Sequence, residues 1–143
     1  MTSKILTTLT RRKTGTLAKI TITRPTKQNA LNTPLLTQLP PTIKEITETN
    51  KDLLAIILTG AGPKSFIGGA DLREIAALDS PAAARGFISK VHLACSALRR
   101  CPVPVIARVN GFALGAGLEV AAACDVRVCG RGAVFGMPEV CQI

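Results

Sequence analysis

The chain has 143 residues, 47% of them hydrophobic, which suits one folded domain with its own core and argues against disorder. Lys and Arg outnumber Asp and Glu by 18 to 9, a formal net charge of +9, yet aromatic residues are only 3% with no Trp or Tyr, so single-stranded nucleic-acid binding by base stacking loses support. Uninterrupted apolar runs fall short of the ~18 residues a membrane span needs, because Arg108, Glu119, Asp125 and Arg127 break them; the chain reads as soluble.

Residues 5–23 predict two strands around "RRKTG", with "LAKITIT" alternating apolar and polar at a period of two before Pro25 stops it. "TPLLTQL" opens a helix with Thr33 as N-cap and Pro34 at the first helical position, and "TIKEITETN" continues the same apolar face. Pro40 and Pro41 predict a kink or break, since a proline inside a helix costs ~3 kcal/mol. "LLAIILTG" reads as a continuously apolar strand of a sheet covered on both faces. "SPAAARGFISKVHLACSALRR" is a helix capped by Ser80 with Pro81 first inside it, its core face formed by Phe87, Val91, Ala94 and Leu98. "VPVIARV" is a second buried strand, "GLEVAAAC" a short helix, and "VRVC" and "AVF" short strands. The alternation predicts an α/β fold in a single domain, residues 1–143.

Lys4, Arg11, Arg12, Lys13, Lys19, Arg24, Lys27 and Lys44 all precede the first acid, Glu45. Such an end attracts anions: phosphorylated small molecules, nucleic acid or lipid headgroups; it also suits a merely solvated surface. The five cysteines, Cys95, Cys101, Cys124, Cys129 and Cys141, form no C-x-x-C pair and no zinc spacing with His92, so buried free thiols in a reducing compartment are expected, and no metal site. The acid-free Thr- and Lys-rich start and the final Cys-Gln-Ile leave mitochondrion and peroxisome both open as addresses.

Two glycine-rich loops follow buried strands, "TGAGPKSFIGGAD" (59–71) and "LGAGLEV" (114–120). The first does not match a phosphate-binding P-loop, and in the second Val120 replaces the third glycine of a dinucleotide motif while Glu119 would repel a pyrophosphate. What remains is a pair of backbone N–H groups converging on one oxygen, which needs small residues so that a substrate can approach. From Pro81 onward the acids are Glu119, Asp125 and Glu139, and Glu119 and Glu139 sit in apolar runs. Two carboxylates facing one water can divide the work of base and acid. Equally, each can cap a helix or meet Arg108 or Arg127.

"ITITRPTKQNALN", "AIILTGAGPKSFIGGADLREI", "PVPVIARVNGFALGAGLEVAAACDVRV" and "AVFGMPEV" together resemble the crotonase superfamily, specifically enoyl-CoA hydratases, in order from about Leu17 to Val140. The resemblance implies a spiral of repeated ββα units, usually assembled as trimers or hexamers. It implies an acyl-CoA thioester substrate lying against Lys27, Ala30 and Leu31 and against Gly68, Gly69, Asp71, Leu72 and Gly115. The oxyanion donors would be the N–H groups of Ala70 and Ala116, and the hydratase carboxylates Glu119 and Glu139. Coenzyme A is part of the substrate, and no metal or redox cofactor is required. An isomerase of the same fold is the alternative activity. Nucleic-acid binding through the basic segment is a secondary one. Pro40–Pro41 departs from the family's uninterrupted helix, and the chain stops where the family normally continues, so a C-terminally truncated, non-catalytic remnant is a further alternative.

Overall fold

The computed structural model describes residues 3–138. The chain opens with an antiparallel hairpin, β1 (Lys4–Arg12) and β2 (Gly15–Thr23), in continuous register from Lys4↔Thr23 to Arg12↔Gly15. Next come a 3-10 turn (Pro25–Lys27), α1 (Thr33–Thr49), β3 (Leu53–Gly60), β4 (Ser65–Ile67), α2 (Leu72–Ala76) and α3 (Pro81–Arg99). Then follow β5 (Val105–Val109), β6 (Phe112–Leu114), α4 (Ala116–Ala123), β7 (Val126–Cys129) and β8 (Val134–Gly136).

The strands divide into two sheets, one in the order β1-β2-β3-β5-β7 and one in the order β4-β6-β8. Apart from the opening hairpin, every strand pairing among the described residues is parallel. Each strand pair, β3–β4, β5–β6 and β7–β8, gives its first strand to the larger sheet and its second to the smaller. Helices follow the first two pairs, so the repeated ββα pattern is realised. Parallel strands need such crossovers, which is why a helix separates successive strands of one sheet.

The core lies between the larger sheet and its helices. Ala18, Ile20 and Ile22 of β2, Ile56 and Leu58 of β3, and Val105, Ala107 and Val109 of β5 are buried there. The expected α3 face, Phe87, Val91, Ala94 and Leu98, is the buried one, and Ser80 caps the helix by accepting from the Ala83 N–H at 3.2 Å. β3, expected to be covered on both faces, is buried apart from exposed Leu54 and half-buried Ile57, whereas β5, expected to be a buried strand, is buried at Val105, Ala107 and Val109 but half-buried at Ile106 and exposed at Arg108. Of the β7 residues all four are exposed.

Two expectations for α1 are corrected. Its N-cap is Asn32, in extended backbone and accepting from the Leu35 N–H at 3.3 Å, while Thr33 is already helical and its N–H is taken by the Glu74 carboxylate at 2.8 Å. The helix also runs unbroken through Pro40 and Pro41. Leu35, Leu36 and Leu39 before the prolines and Ile43 and Ile46 after them are all buried, so packing on both sides outweighs the local loss of hydrogen bonds. The short β4, β6 and α2 have no counterpart in the periodicity, being three, three and five residues long.

Candidate active site

β4 and β6 are adjacent and parallel, with Ile67 opposite Ala113; the Gly68–Asp71 part of the first glycine-rich loop leaves the C-terminal end of β4, and the second loop leaves that of β6. In open parallel sheets that end is where ligands bind. After β4 the chain makes one parallel bridge. Leu31 donates its N–H to Gly69 O and accepts from the Asp71 N–H, both at 2.8 Å. Ala70, between those two partners, turns its own N–H away from Leu31, and that N–H has no protein acceptor among the described residues. After β6, Gly115 donates to Gly136 O at 2.9 Å, and its own carbonyl accepts from Leu118 and Glu119 as α4 begins. The Ala116 N–H, first in α4, likewise has no protein acceptor among the described residues, as expected of a group in the first helical turn.

Close backbone approach brings these loops together. A Cβ on Gly117 would lie 2.0 Å from Ile67 O, so only glycine lets the start of α4 rest on the end of β4. Gly69 has φ +119°, and a Cβ there would meet Leu114 O at 3.4 Å. Gly115 turns into α4 at φ 49°. The two free N–H groups thus stand at the ends of neighbouring strands, with the positive end of the α4 dipole behind one of them.

Lys27, Ala30, Gly68, Ala70, Asp71 and Leu72, with Arg73, line a cleft of about 360 Å³. The hairpin–α1 connection and the β4–α2 loop, expected from the resemblance to meet one ligand, do face one space. Leu72 is 77% exposed at its mouth. Leu31 is 1% exposed, so its side chain belongs to the core and its backbone is spent on the Gly69–Asp71 bridge. Asp71 is likewise committed: one carboxylate oxygen caps α2 by accepting from the Arg73 N–H at 3.0 Å, and the other pairs with the Arg24 guanidinium at 2.6 Å. Desolvation pushes the Asp71 carboxyl up, but the Arg24 hydrogen bond, the N–H groups of Arg73 and Glu74 and the Arg24 charge together hold it below the ordinary carboxylate range.

Glu119 is exposed, not buried among the alanines. In α4 the glycines and alanines of the other face are the buried ones, Ala116, Gly117, Val120, Ala121 and Ala123, which leaves Glu119 and Ala122 outward. It lines a groove of about 400 Å³ between α3 and α4 with His92, Cys95 and Arg99, and no ion pair to it forms among the described residues. Burial, and then the Glu119 charge, raise the Cys95 thiol pKa. Asp125 is structural, accepting from the Val105 N–H at 2.8 Å and tying β7 to β5. Arg127 donates to the carbonyls of Ala121 and Cys124 rather than meeting a carboxylate. Glu139 and Cys141 lie outside the described residues. Burial pushes the Cys124 thiol up to about 12, in keeping with an inert core cysteine, whereas Cys129 is exposed.

The family model described as enoyl-CoA hydratase/isomerase matches residues 12–141. The chain belongs to the enoyl-CoA hydratase/isomerase family. It is 45% identical over 130 residues to the short-chain-enoyl-CoA hydratase of Clostridium acetobutylicum, a match covering 90% of this chain and 48% of that protein. It is 37% identical over 133 residues to a probable mitochondrial enoyl-CoA hydratase of Dictyostelium discoideum, covering 93% of this chain and 46% of that one. The crystal structure of an enoyl-CoA hydratase from Bacillus anthracis superposes with a TM-score of 0.85 at 33% identity, over 96% of this chain and 52% of that one. The chain therefore has the crotonase fold and spans about half the length of the relatives it matches. No helix among the described residues is long and apolar enough to cross a membrane.

Sequence reasoning missed the family member's positioning residues. Asn29, fully buried at φ 56°, donates to Ala61 O at 2.9 Å and Ser65 O at 2.8 Å and accepts from the Arg24 N–H at 2.9 Å. Asn110 donates to the carbonyls of Gly60, Gly62 and Ser65 and accepts from the Gly60 N–H. Together they hold the β3–β4 loop from both sides. Their signals were present as turn chemistry, Asn being tolerant of left-handed backbone and "NG" a turn dipeptide. Arg24 was visible only as charge, its partner being 47 positions away.

Proposed function

We propose that this chain carries the thioester-binding part of an enoyl-CoA hydratase acting on a trans-2-enoyl-CoA in acyl-CoA metabolism. One observation carries the reading: the N–H groups of Ala70 and Ala116, both without a protein acceptor among the described residues, stand at the ends of the adjacent strands β4 and β6. The thioester oxygen would accept from both as negative charge develops on it, which is the geometry oxyanion stabilisation requires. The pantetheine and nucleotide would lie along the Lys27–Asp71 cleft, with Lys27 and the basic hairpin supplying charge for the phosphates. Glu119 and Glu139 would hold one water; its oxygen bonds to C3, and Glu139 delivers the proton to C2, giving a 3-hydroxyacyl-CoA. Every atom comes from water and substrate, so no redox cofactor or metal enters the proposed step.

The test is loss of the conjugated enoyl-thioester absorbance of crotonyl-CoA with the purified chain, beside Glu119→Gln and Glu139→Gln. The expected outcome is hydration that falls by about 10²-fold or more in either variant, the usual scale for a general acid or base. A rate indistinguishable from both variants overturns the reading. A second reading, acyl-CoA binding without turnover, is favoured by the position of Glu119 in the α3–α4 groove, while Ala70 lines the other cleft. Saturable binding of butyryl-CoA with no absorbance loss selects it.

A further inference from the structure

α1 and α3 pack against one another, and a groove of about 470 Å³ stays open along their seam. The facing residues explain it. α1 presents Thr37 and Pro40 there and α3 presents Ser96 and Ala97, side chains too short to fill the space. Lys90, Leu93, Ala97 and Arg100 recur at i, i+3, i+7 and i+10, so one stripe of α3 carries Leu93 and Ala97 between two cations. Leu36 forms the buried floor, whereas Leu93 is 58% exposed. No acid lines the groove, and neither cation joins an ion pair among the described residues. It shares Ser96 with the α3–α4 groove and no residue with the Lys27–Asp71 cleft.

We propose that the α1–α3 groove binds a medium-chain fatty acid, with its carboxylate on Lys90 Nζ and its chain laid over Leu93 and Ala97 against Leu36 and Pro40. The occupant's chemistry follows from complementarity: apolar walls with a cationic, acid-free rim match an amphipathic anion. Lys90 is the better placed of the two cations. It is half-buried, and its Nζ is held by donation to Gly86 O at 3.2 Å with two further protons to give. Arg100 is exposed and caps the C-terminus of α3, where the negative end of the helix dipole opposes an anion. The two cations lie ten residues apart, about 15 Å along α3, a span that an extended medium-chain acid covers. A partner's amphipathic helix fits less well, because it needs a row of anchor sites over successive turns and Thr37, Ser96 and Pro40 interrupt that row. The site is independent of whether the chain hydrates enoyl thioesters.

Titration calorimetry of the full chain with dodecanoate, below its micellar concentration, is the test. The expected result is one saturable site per chain, with dodecanol bound at least about tenfold more weakly. Lys90→Met keeps the stem and removes the charge, and should weaken dodecanoate by about tenfold or more while leaving dodecanol unchanged. Leu93→Asp, at an exposed position, should weaken dodecanoate at least as much. Urea midpoints close to the parent's establish that both variants are folded, and the comparison of dodecanoate with dodecanol on the parent needs neither variant. Binding without saturation overturns the proposal, as does no binding at all. So does equal affinity for dodecanol, or dodecanoate binding that is unchanged in Lys90→Met. Displacement of dodecanoate by butyryl-CoA also overturns it, because it places the acid in the proposed thioester site. Dodecanoate binding as expected, in a chain that does not hydrate crotonyl-CoA, leaves the groove standing and counts against the hydratase reading.

Discussion

Asp71 joins three parts of the site through two oxygens: it caps α2, pairs with Arg24 at the end of the hairpin, and borders the cleft that Ala70 faces. Its carboxyl is held below the ordinary range, and the sign of the consequence follows from linkage. A group whose folded value is lowered contributes stability that is fully present above its unfolded value, ~3.9, and is lost as pH falls through the folded one. The stability difference between the parent and Asp71→Asn should therefore be constant above about pH 5 and close as pH falls below about 4. Urea unfolding across that range measures it; a difference that instead widens toward acid contradicts the Arg24 pairing. At this scale residue type was readable and partnership was not. The glycine and alanine content of the two loops pointed to exposed N–H groups, but the apolar run around Glu119 did not show which way its carboxylate faces. Helical phase decides this, because the small residues occupy the packed face and the carboxylate the open one.

Among the elements, α1 is where local rules and tertiary packing disagree most. Pro40 and Pro41 remove the N–H groups that would reach the carbonyls of Leu36 and Thr37, yet the helix persists because its buried leucines and isoleucines lie on both sides of them. Pro41 is exposed. Pro41→Ala should return up to ~3 kcal/mol of helix propensity, less ~0.4–1 kcal/mol for the looser unfolded chain, a net gain of about 2 kcal/mol. Urea denaturation reads the gain, and a loss would mean the proline sits in backbone that alanine does not tolerate. α3, by contrast, was fully readable, since cap, first-turn proline and apolar face all agree along 19 residues. β4 and β6 were not, because three residues are too few to show a period, and their pairing joins segments 47 positions apart.

For the whole molecule, the junction between α4 and the smaller sheet sets the relation of the two free N–H groups. Gly117 and Gly86 are both helical, so alanine gains ~1 kcal/mol of propensity at either. At Gly86 a Cβ meets nothing within 4 Å, and Gly86→Ala should stabilise by about 0.5–1 kcal/mol. At Gly117 the Cβ would collide with the Ile67 backbone at 2.0 Å, so α4 or β4 must move, and Gly117→Ala should destabilise by about 3 kcal/mol despite the propensity gain. Opposite signs in paired urea titrations check the prediction. Butyryl-CoA affinity should fall for Gly117→Ala and stay unchanged for Gly86→Ala.

By itself the sequence determined the α/β alternation, the long helices, the central strands and the four motifs that place the chain in its family, because those depend on short-range period, caps and turns. Only the tertiary structure decided that Ala70 and Ala116 leave neighbouring strands, that Leu31 belongs to the core, and that Glu119 faces a groove. Each of those depends on which distant segment lies alongside, and pairings across tens of residues leave no periodic trace in the segments they join.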